Sequence, residues 1–185
     1  LANPNYVFVN QKQAYEFNVI KTINFIKKIK DRVNRLIFLS SVEVFDGQKG
    51  NYNEKDSKNP LNFYGRTKHE VENFISSNMK NYTIIRTGWN TSMNFKYRCV
   101  IKLTYETLLK ENAKMAFDNF FSITYVDDFT KNLIKIVNNL DDNILHLAQH
   151  QIISRVQLAD IIINKIKYKS KMNYEKVKFS EMKFK

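Results

Sequence analysis

The stretch from Leu36 to Lys68 constrains this chain more than any other. Leu36-Ile37-Phe38-Leu39 is a short buried-strand signal that ends on the paired serines Ser40 and Ser41. A polar loop follows, and Tyr64 and Lys68 open the next helical segment. A second strand pattern, Tyr82 to Arg86, comes after that helix. Strand, helix and strand at this spacing predict a parallel pair joined by a right-handed crossover. Ligands of open α/β sheets bind outside the carboxyl ends of the strands, so Ser41 is delivered to a binding edge.

Tyr64 and Lys68 are four residues apart, which puts a phenol and an ammonium on one helical face, with Cβ atoms roughly 5–6 Å apart. A free tyrosine titrates near about 10. A neighbouring ammonium favours the phenolate, so the spacing predicts a Tyr64 pKa lowered towards neutrality and a group able to exchange a proton. Ser41 would hydrogen-bond the same substrate oxygen. By itself the pattern is weak: with 10 tyrosines and 24 lysines it recurs as Tyr174 and Lys178. Context separates the two, because only the first pair follows a buried strand and a serine pair and opens an amphipathic helix.

Ser-Ser-Val-Glu-Val-Phe-Asp-Gly (40–47), with Asn-Pro-Leu-Asn-Phe-Tyr-Gly-Arg-Thr-Lys-His-Glu-Val-Glu (59–72), resembles the extended short-chain dehydrogenase/reductase family. Within that family the chain looks most like the dTDP-4-dehydrorhamnose reductases and their sugar-nucleotide relatives. The similarity continues through Ile85-Arg86-Thr87-Gly88-Trp89, Thr124-Tyr125-Val126-Asp127-Asp128, His146-Leu147-Ala148 and Ser154-Arg155.

The resemblance implies an α/β fold: a Rossmann-like parallel sheet, N-terminally incomplete, with a small C-terminal substrate-binding portion. Residues 1–86 would be the C-terminal part of an NAD(P)-binding domain. Residues 87–185 would complete the sheet and form the substrate-binding portion, ending in a basic tail over 165–185. It also implies Ser41, Tyr64 and Lys68 as catalytic residues, with Ala2, Ser40, Tyr64, Lys68 and Thr87 contacting NADPH or NADH. Ser41, Glu43 and Trp89 would contact a nucleotide-sugar substrate whose 4-keto group is reduced. No metal is implied. The resemblance leaves room for a homodimer through helices 15–30 and 64–79, and a cytoplasmic enzyme is expected.

The chain departs from the family in two ways. No Gly-x-Gly-x-x-Gly occurs, and only 4 glycines are present. The family binds the cofactor pyrophosphate on that turn, at a helix N-terminus. Leu1-Ala2 resembles the end of the family's fourth strand. The chain is therefore expected to start partway through the dinucleotide-binding half, to leave a sheet edge exposed, and to hold cofactor poorly by itself. Second, Val42 stands where relatives often carry Asp, while Glu43 matches the acid/base glutamate of dehydratases. Epimerisation or 4,6-dehydration is the runner-up activity, although Phe45-Asp46-Gly47 and Asn59-Pro60-Leu61-Asn62 look more like a reductase. A catalytically silent subunit, such as the regulatory subunit of methionine adenosyltransferase, is a third reading.

A formal charge of +12 raises the question of nucleic acid. Only 6 of the 30 basic residues are arginine, the side chain that forks onto phosphate. Residues 165–185 hold eight lysines and two glutamates, a net +6 that is half the total. A solvated basic tail with no specific nucleic-acid partner is the expectation. No run of about 18 apolar residues marks a membrane span, and the single Cys99 rules out an internal disulfide and fits a reducing compartment.

Elsewhere the patterns are structural. Ala14, Phe17, Ile20, Ile23, Ile26 and Ile29 predict an amphipathic helix over 15–30. Asn18 within it either steadies the active-site backbone, as the resemblance implies, or sits on a wet face. Residues 46–60 read as a surface loop, and Val71, Phe74 and Ile75 as the buried stripe of a helix over 64–79. Trp89 either stacks on a sugar or nicotinamide or plugs a core end. A helix is predicted over 97–111 and extended segments over 116–126. A helix capped by Asp127 and Asp128 follows, then a strand over 144–147. Ser154 and Gln157 form a capping box ahead of Leu158, Ile161 and Ile162. His146 and His150 fall on a strand and turn, a poor arrangement for metal ligands.

Overall fold

A computed structural model describes residues 1–92, 99–138, 143–166 and 172–182. In chain order the elements are α1 (Pro4–Val9), α2 (Gln11–Tyr15), a π-helical segment (Glu16–Lys21) and α3 (Thr22–Ile29). Then come β1 (Leu36–Ser41), a 3₁₀ turn (Val42–Val44), α4 (Phe63–Asn78), β2 (Tyr82–Thr87) and β3 (Trp89–Thr91). They are followed by α5 (Val100–Leu108), β4 (Lys114–Ala116), β5 (Phe120–Tyr125), α6 (Val126–Asn138) and β6 (Ile144–Leu147). The last are β7 (Ile152–Ser154), α7 (Arg155–Lys165), β8 (Glu175–Val177) and a final 3₁₀ turn (Phe179–Glu181).

Two compact units result: Leu1–Thr87 with Ile136–Leu147, and Gly88–Lys135 with Ala148–Lys185. In the first, three parallel strands lie in the order β1-β2-β6. Register sets Ser41 beside Thr87, Ser40 beside Arg86, and Arg86 beside His146. The carboxyl ends of all three strands thus share one edge. Among the described residues β1 has a strand partner on one side only. Leu1 and Ala2, expected at a strand end, lie outside any strand.

The core of this unit joins Val19, Ile26, Val71, Ile75, Met79 and Ile84. The helix predicted over 15–30 begins earlier, at Gln11, and is interrupted by the π turn. That turn inserts one extra residue and rotates everything after it. Burial therefore runs Ala14, Val19, Ile26, while Phe17 and Ile20, expected in the stripe, are 46% and 38% exposed. The helix after the loop forms as expected. Its cap is Asn62, whose Oδ1 accepts from the Gly65 amide at 2.7 Å. A Cβ on Gly65 would stand 2.0 Å from the Glu43 carbonyl oxygen, so glycine is what lets α4 approach the end of β1 this closely.

The second unit pairs β3 with β5 in parallel and β5 with β7 antiparallel, and β4 with β8 in parallel. Its core gathers Val100, Leu108, Met115, Phe121, Ile153, Val156, Leu158, Ala159 and Ile162. The Ser154–Gln157 capping box starts α7 as expected. The helix predicted over 97–111 is shorter, Val100–Leu108, with Cys99 as its cap; residues 97 and 98 lie outside the described residues. Asp127 and Asp128 sit in the first turn of α6 instead of capping it, where carboxylates favour the positive end of the helix dipole. The expected solvated tail is in part packed: β8 pairs with β4 and Val177 is buried. Residues 167–171 and 183–185 of that tail lie outside the described residues. Among the described residues no helix is long and apolar enough to cross a membrane, and no group of three or more His, Cys, Asp or Glu could hold a metal ion.

Candidate active site

One face of α4 reads out along the end of β1. Tyr64, Lys68 and Glu72 follow one another at i,i+4 intervals and meet three consecutive residues. Tyr64 is hydrogen-bonded by Ser41. Lys68 Nζ donates to the Leu39 carbonyl at 2.9 Å, and Ser40 Oγ donates to Glu72 Oε1 at 2.5 Å. Ser41 Oγ also accepts from the Glu43 amide at 3.2 Å, which caps the 3₁₀ turn and leaves its hydroxyl hydrogen for Tyr64. Ser41, Tyr64 and Lys68, expected together from the sequence, lie on one unit at one strand edge.

Their electrostatics differ from the expectation. Tyr64 is pushed up to about 12, first by burial and then by the Glu43 carboxylate, with the Ser41 hydrogen bond opposing. Lys68 does not lower it: the ammonium is anchored on Leu39, 4.8 Å from the Phe38 ring centroid and 5.9 Å from that of Tyr64. Burial also pulls Lys68 below its ordinary value, against the charge of Glu72. Glu43 is held by Asn62, whose Nδ2 donates to Oε2 at 2.5 Å. Asn62 thus caps the helix with one side-chain atom and aims a carboxylate at Tyr64 with the other. Asn18, on the π turn, donates to the Leu1 carbonyl at 2.8 Å and to Thr67 Oγ1 at 3.4 Å. Thr67 Oγ1 donates to the Tyr64 carbonyl at 2.7 Å. Of the residues expected at a cofactor, Thr87 lies beside Ser41 in register, Ser40 has its hydroxyl committed to Glu72, and Ala2 follows the carbonyl held by Asn18.

Beneath this edge lies a polar network that sequence reasoning did not single out. Glu72 and Arg86 are 0% and 1% exposed. Arg86 donates from Nε to Oε1 at 3.1 Å and from NH2 to Oε2 at 2.8 Å, a bidentate pair. Lys58 Nζ adds a contact to Oε2 at 3.2 Å. Burial would raise Glu72, but the Arg86 and Ser40 hydrogen bonds and the charges of Arg86 and Lys58 outweigh it and hold the carboxyl below its usual range. Arg86 NH1 also meets His146 Nε2 at 3.3 Å. A guanidinium can only donate, so Nε2 is the acceptor and Nδ1 carries the proton, directed at the Tyr52 carbonyl at 3.2 Å. The His146 amide donates to Glu54 Oε1 at 2.9 Å, and Phe45 stacks on Tyr52 at 4.3 Å. The loop over 46–60 is thereby tied to the strand ends. The available signal was Arg86 within a buried strand, next to its last residue, which demands a carboxylate, with Glu72 continuing the i,i+4 ladder from Tyr64.

Trp89 opens β3 in the second unit, packed on that unit's core. Its ring lies 5.5 Å from that of Phe121, and the Arg155 guanidinium stands 4.3 Å over it. The second Tyr/Lys pair has no such setting: Tyr174 donates to Asp160 at 2.6 Å and Lys178 follows β8.

A match to the family described as RmlD substrate binding domain spans residues 8–183. A dTDP-4-keto-6-deoxy-D-glucose reductase of Streptomyces niveus is 30% identical over 63% of this chain and 41% of its own length. Methionine adenosyltransferase 2 subunit beta of Bos taurus is 36% identical over 45% of this chain and 25% of its own length. A dTDP-4-dehydrorhamnose reductase of Bacillus anthracis, solved in complex with NADP, shares the fold at a TM-score of 0.84 with 23% identity, covering 98% of this chain and 64% of that one. This chain spans about two fifths of the first relative's length. With the parallel sheet, the strand-edge serine and the Tyr-x-x-x-Lys helix already in place, the match assigns the chain to the RmlD substrate binding domain family, of the extended short-chain dehydrogenase/reductase type.

Proposed function

We propose that these residues form the proton-donating and substrate-binding side of an NAD(P)H-dependent reductase that converts a 4-keto sugar nucleotide to the alcohol. The observation that carries this reading is the placing of Ser41, Tyr64 and Lys68 together at the carboxyl edge of a parallel sheet. The named reductase relative and the NADP-bound neighbour support it. The residues fit the reactive end of a nicotinamide cofactor, since phenol, hydroxyl and ammonium converge there. They do not fit its pyrophosphate, because these 185 residues contain no glycine-rich turn. When bound, the cofactor would supply a hydride. Ser41 orients the keto oxygen and Tyr64 donates its proton to that oxygen. Solvent then reprotonates the phenolate left behind. A donor must begin protonated, as Tyr64 is at neutral pH.

Thr87, Ser40 and Ala2 are proposed to line the cofactor. Glu43 is proposed to face the sugar, and Trp89, within the second unit, to contact the nucleotide-sugar substrate. Glu43 beside Tyr64 favours a second reading as an epimerase or dehydratase, in which the carboxylate moves a proton at the sugar ring. Incubation of the full-length protein with NADPH and a dTDP-4-keto-6-deoxysugar decides between them. Stoichiometric NADPH oxidation is expected; product formed without net oxidation would overturn the reductase reading. Titration of the 185-residue chain with NADPH is expected to show binding weaker than micromolar.

We also propose that two copies of the chain pair through the helices of residues 15–30 and 64–79. On the first of these Phe17 and Phe25 are 46% and 60% exposed. Sedimentation should show a dimer that Phe17→Glu with Phe25→Glu converts to a folded monomer; a wild-type monomer at tens of micromolar would end this proposal.

A further inference from the structure

We propose that Asn62 is a positioning residue of the candidate site, holding the Glu43 carboxylate beside Tyr64 and acting on the reaction through it. The placement of Glu43 does not depend on which reaction the site performs; its effect on turnover rests on the reductase reading.

The site is assembled from two pieces of chain that a loop separates. The end of β1 and its 3₁₀ turn supply Ser41 and Glu43, and the start of α4 supplies Tyr64. Three rungs close the neck of that loop. The Asn59 amide donates to the Val44 carbonyl at 2.9 Å, Asn59 Nδ2 donates to Asp46 Oδ2 at 3.1 Å, and Asn62 Nδ2 donates to Glu43 Oε2 at 2.5 Å. Of the three, only the Asn62 rung ends on a side chain that bears on Tyr64, since the Glu43 charge acts on the phenol next after burial.

Both halves of the Asn62 amide are committed. The Gly65 N–H can only donate, so the atom that accepts it at 2.7 Å is Oδ1, and the NH2 is the half that meets Glu43. The amide group is planar, so fixing its oxygen on the helix start also fixes the direction from which its N–H reaches the carboxylate. The Glu43 backbone is held independently, because α4 packs so closely on it that a Cβ on Gly65 would stand 2.0 Å from the Glu43 carbonyl oxygen. That contact leaves the side-chain torsions of Glu43 free to carry its carboxylate elsewhere. Among the described residues the Asn62 bond is the one hydrogen bond that the carboxylate makes. The two duties of Asn62 are separable by mutation. Serine caps a helix about as well as asparagine, but with its oxygen on the Gly65 N–H its shorter side chain lacks the NH2 that reaches Glu43.

Absorbance titration of the full-length protein, minus that of the same protein carrying Tyr64→Phe, reads the Tyr64 phenol alone. Asn62→Ser should melt close to wild type yet move this difference titration downward, in the direction that Glu43→Gln moves it. Combined with Glu43→Gln it should cause no further movement, because its effect passes through the carboxylate. With NADPH and a dTDP-4-keto-6-deoxysugar, Asn62→Ser should lower kcat about tenfold, the scale of a small misplacement at a reacting centre. An unmoved titration in a normally melting Asn62→Ser would reduce Asn62 to a helix cap and overturn the proposal. A movement of the same size in the Glu43→Gln background would overturn it as well, and so would a moved titration with kcat unchanged. Should Asn62→Ser not fold, nuclear magnetic resonance of the wild type makes the test: the Asn62 side-chain amide protons should exchange slowly with solvent and faster in Glu43→Ala, and exchange indifferent to Glu43→Ala would end the proposal. The titrations use neither cofactor nor ketosugar. A wild type that oxidises no NADPH therefore ends the reductase reading alone, and an unmoved titration ends only the role of Asn62.

Discussion

Tyr64 carries the sharpest residue-scale consequence. Its hydroxyl is the group proposed to give up a proton, so Tyr64→Phe in the full-length protein should lower ketosugar reduction by about a hundred- to ten-thousand-fold. Melting temperature should change little, and turnover at the wild-type rate would remove Tyr64 from the mechanism. The raised pKa has its own test. The absorbance titration of wild type minus that of Tyr64→Phe should show a phenol still protonated above about pH 10, where a free phenol is half ionised, and Glu43→Gln should move that difference downward by removing the neighbouring charge. A second residue, Glu72, neutralises a fully buried arginine. Glu72→Gln keeps the shape but leaves Arg86 charged and unpaired, which should cost about 3–5 kcal/mol in denaturant unfolding; a loss below about 1 kcal/mol would mean that Lys58, His146 and water compensate.

At the scale of elements, the site depends on how closely α4 meets the end of β1. Gly65 sets that distance, because any Cβ there would enter the Glu43 carbonyl. Gly65→Ala must therefore push the helix and the 42–44 turn apart. Reduction should fall at least tenfold, with an overpacking cost of about 1–3 kcal/mol, although alanine is the better helix former in isolation. An unchanged rate would show that the helix can slide without losing the Ser41–Tyr64 bond. The π turn acts in a comparable way on the neighbouring helix, since it brings Asn18 to Leu1 and Thr67 while its extra residue turns Phe17 and Ile20 outward.

For the molecule as a whole, acid should act in two stages. His146 is held below its ordinary pKa, first by burial, with the Glu54 charge opposing and the Arg86 charge assisting. A group whose folded pKa is depressed contributes its full stability above the unfolded value and loses it as pH falls. Stability should thus begin to decline below about pH 6.5. His146→Gln should flatten that first stage and loosen the 46–60 loop, as read by hydrogen exchange. Glu72 is also depressed, so its contribution is lost only as pH falls below about 4.3 and on through the folded pKa. A single transition near pH 4, identical in His146→Gln, would show that the histidine does not bear on stability.

Local chemistry made several features legible in the sequence. The strand ending on Ser41, the helix carrying Tyr64 and Lys68, β6 and the Ser154–Gln157 box all depend on residues a few positions apart. Their periodicity and capping are settled before the chain folds. Other features depend on partners far along the chain. Glu72 and Arg86 are 14 residues apart, Arg86 and His146 60, and His146 and Glu54 92. No local pattern encodes those meetings. The direction of the Tyr64 shift was likewise a tertiary matter. Spacing placed a cation near the phenol, but burial and the Glu43 carboxylate outweighed it, and both arise only when α4 packs on the end of β1. Arg155 is the same lesson in the second unit: its sequence position made it the first residue of a helix, and only packing set it over Trp89.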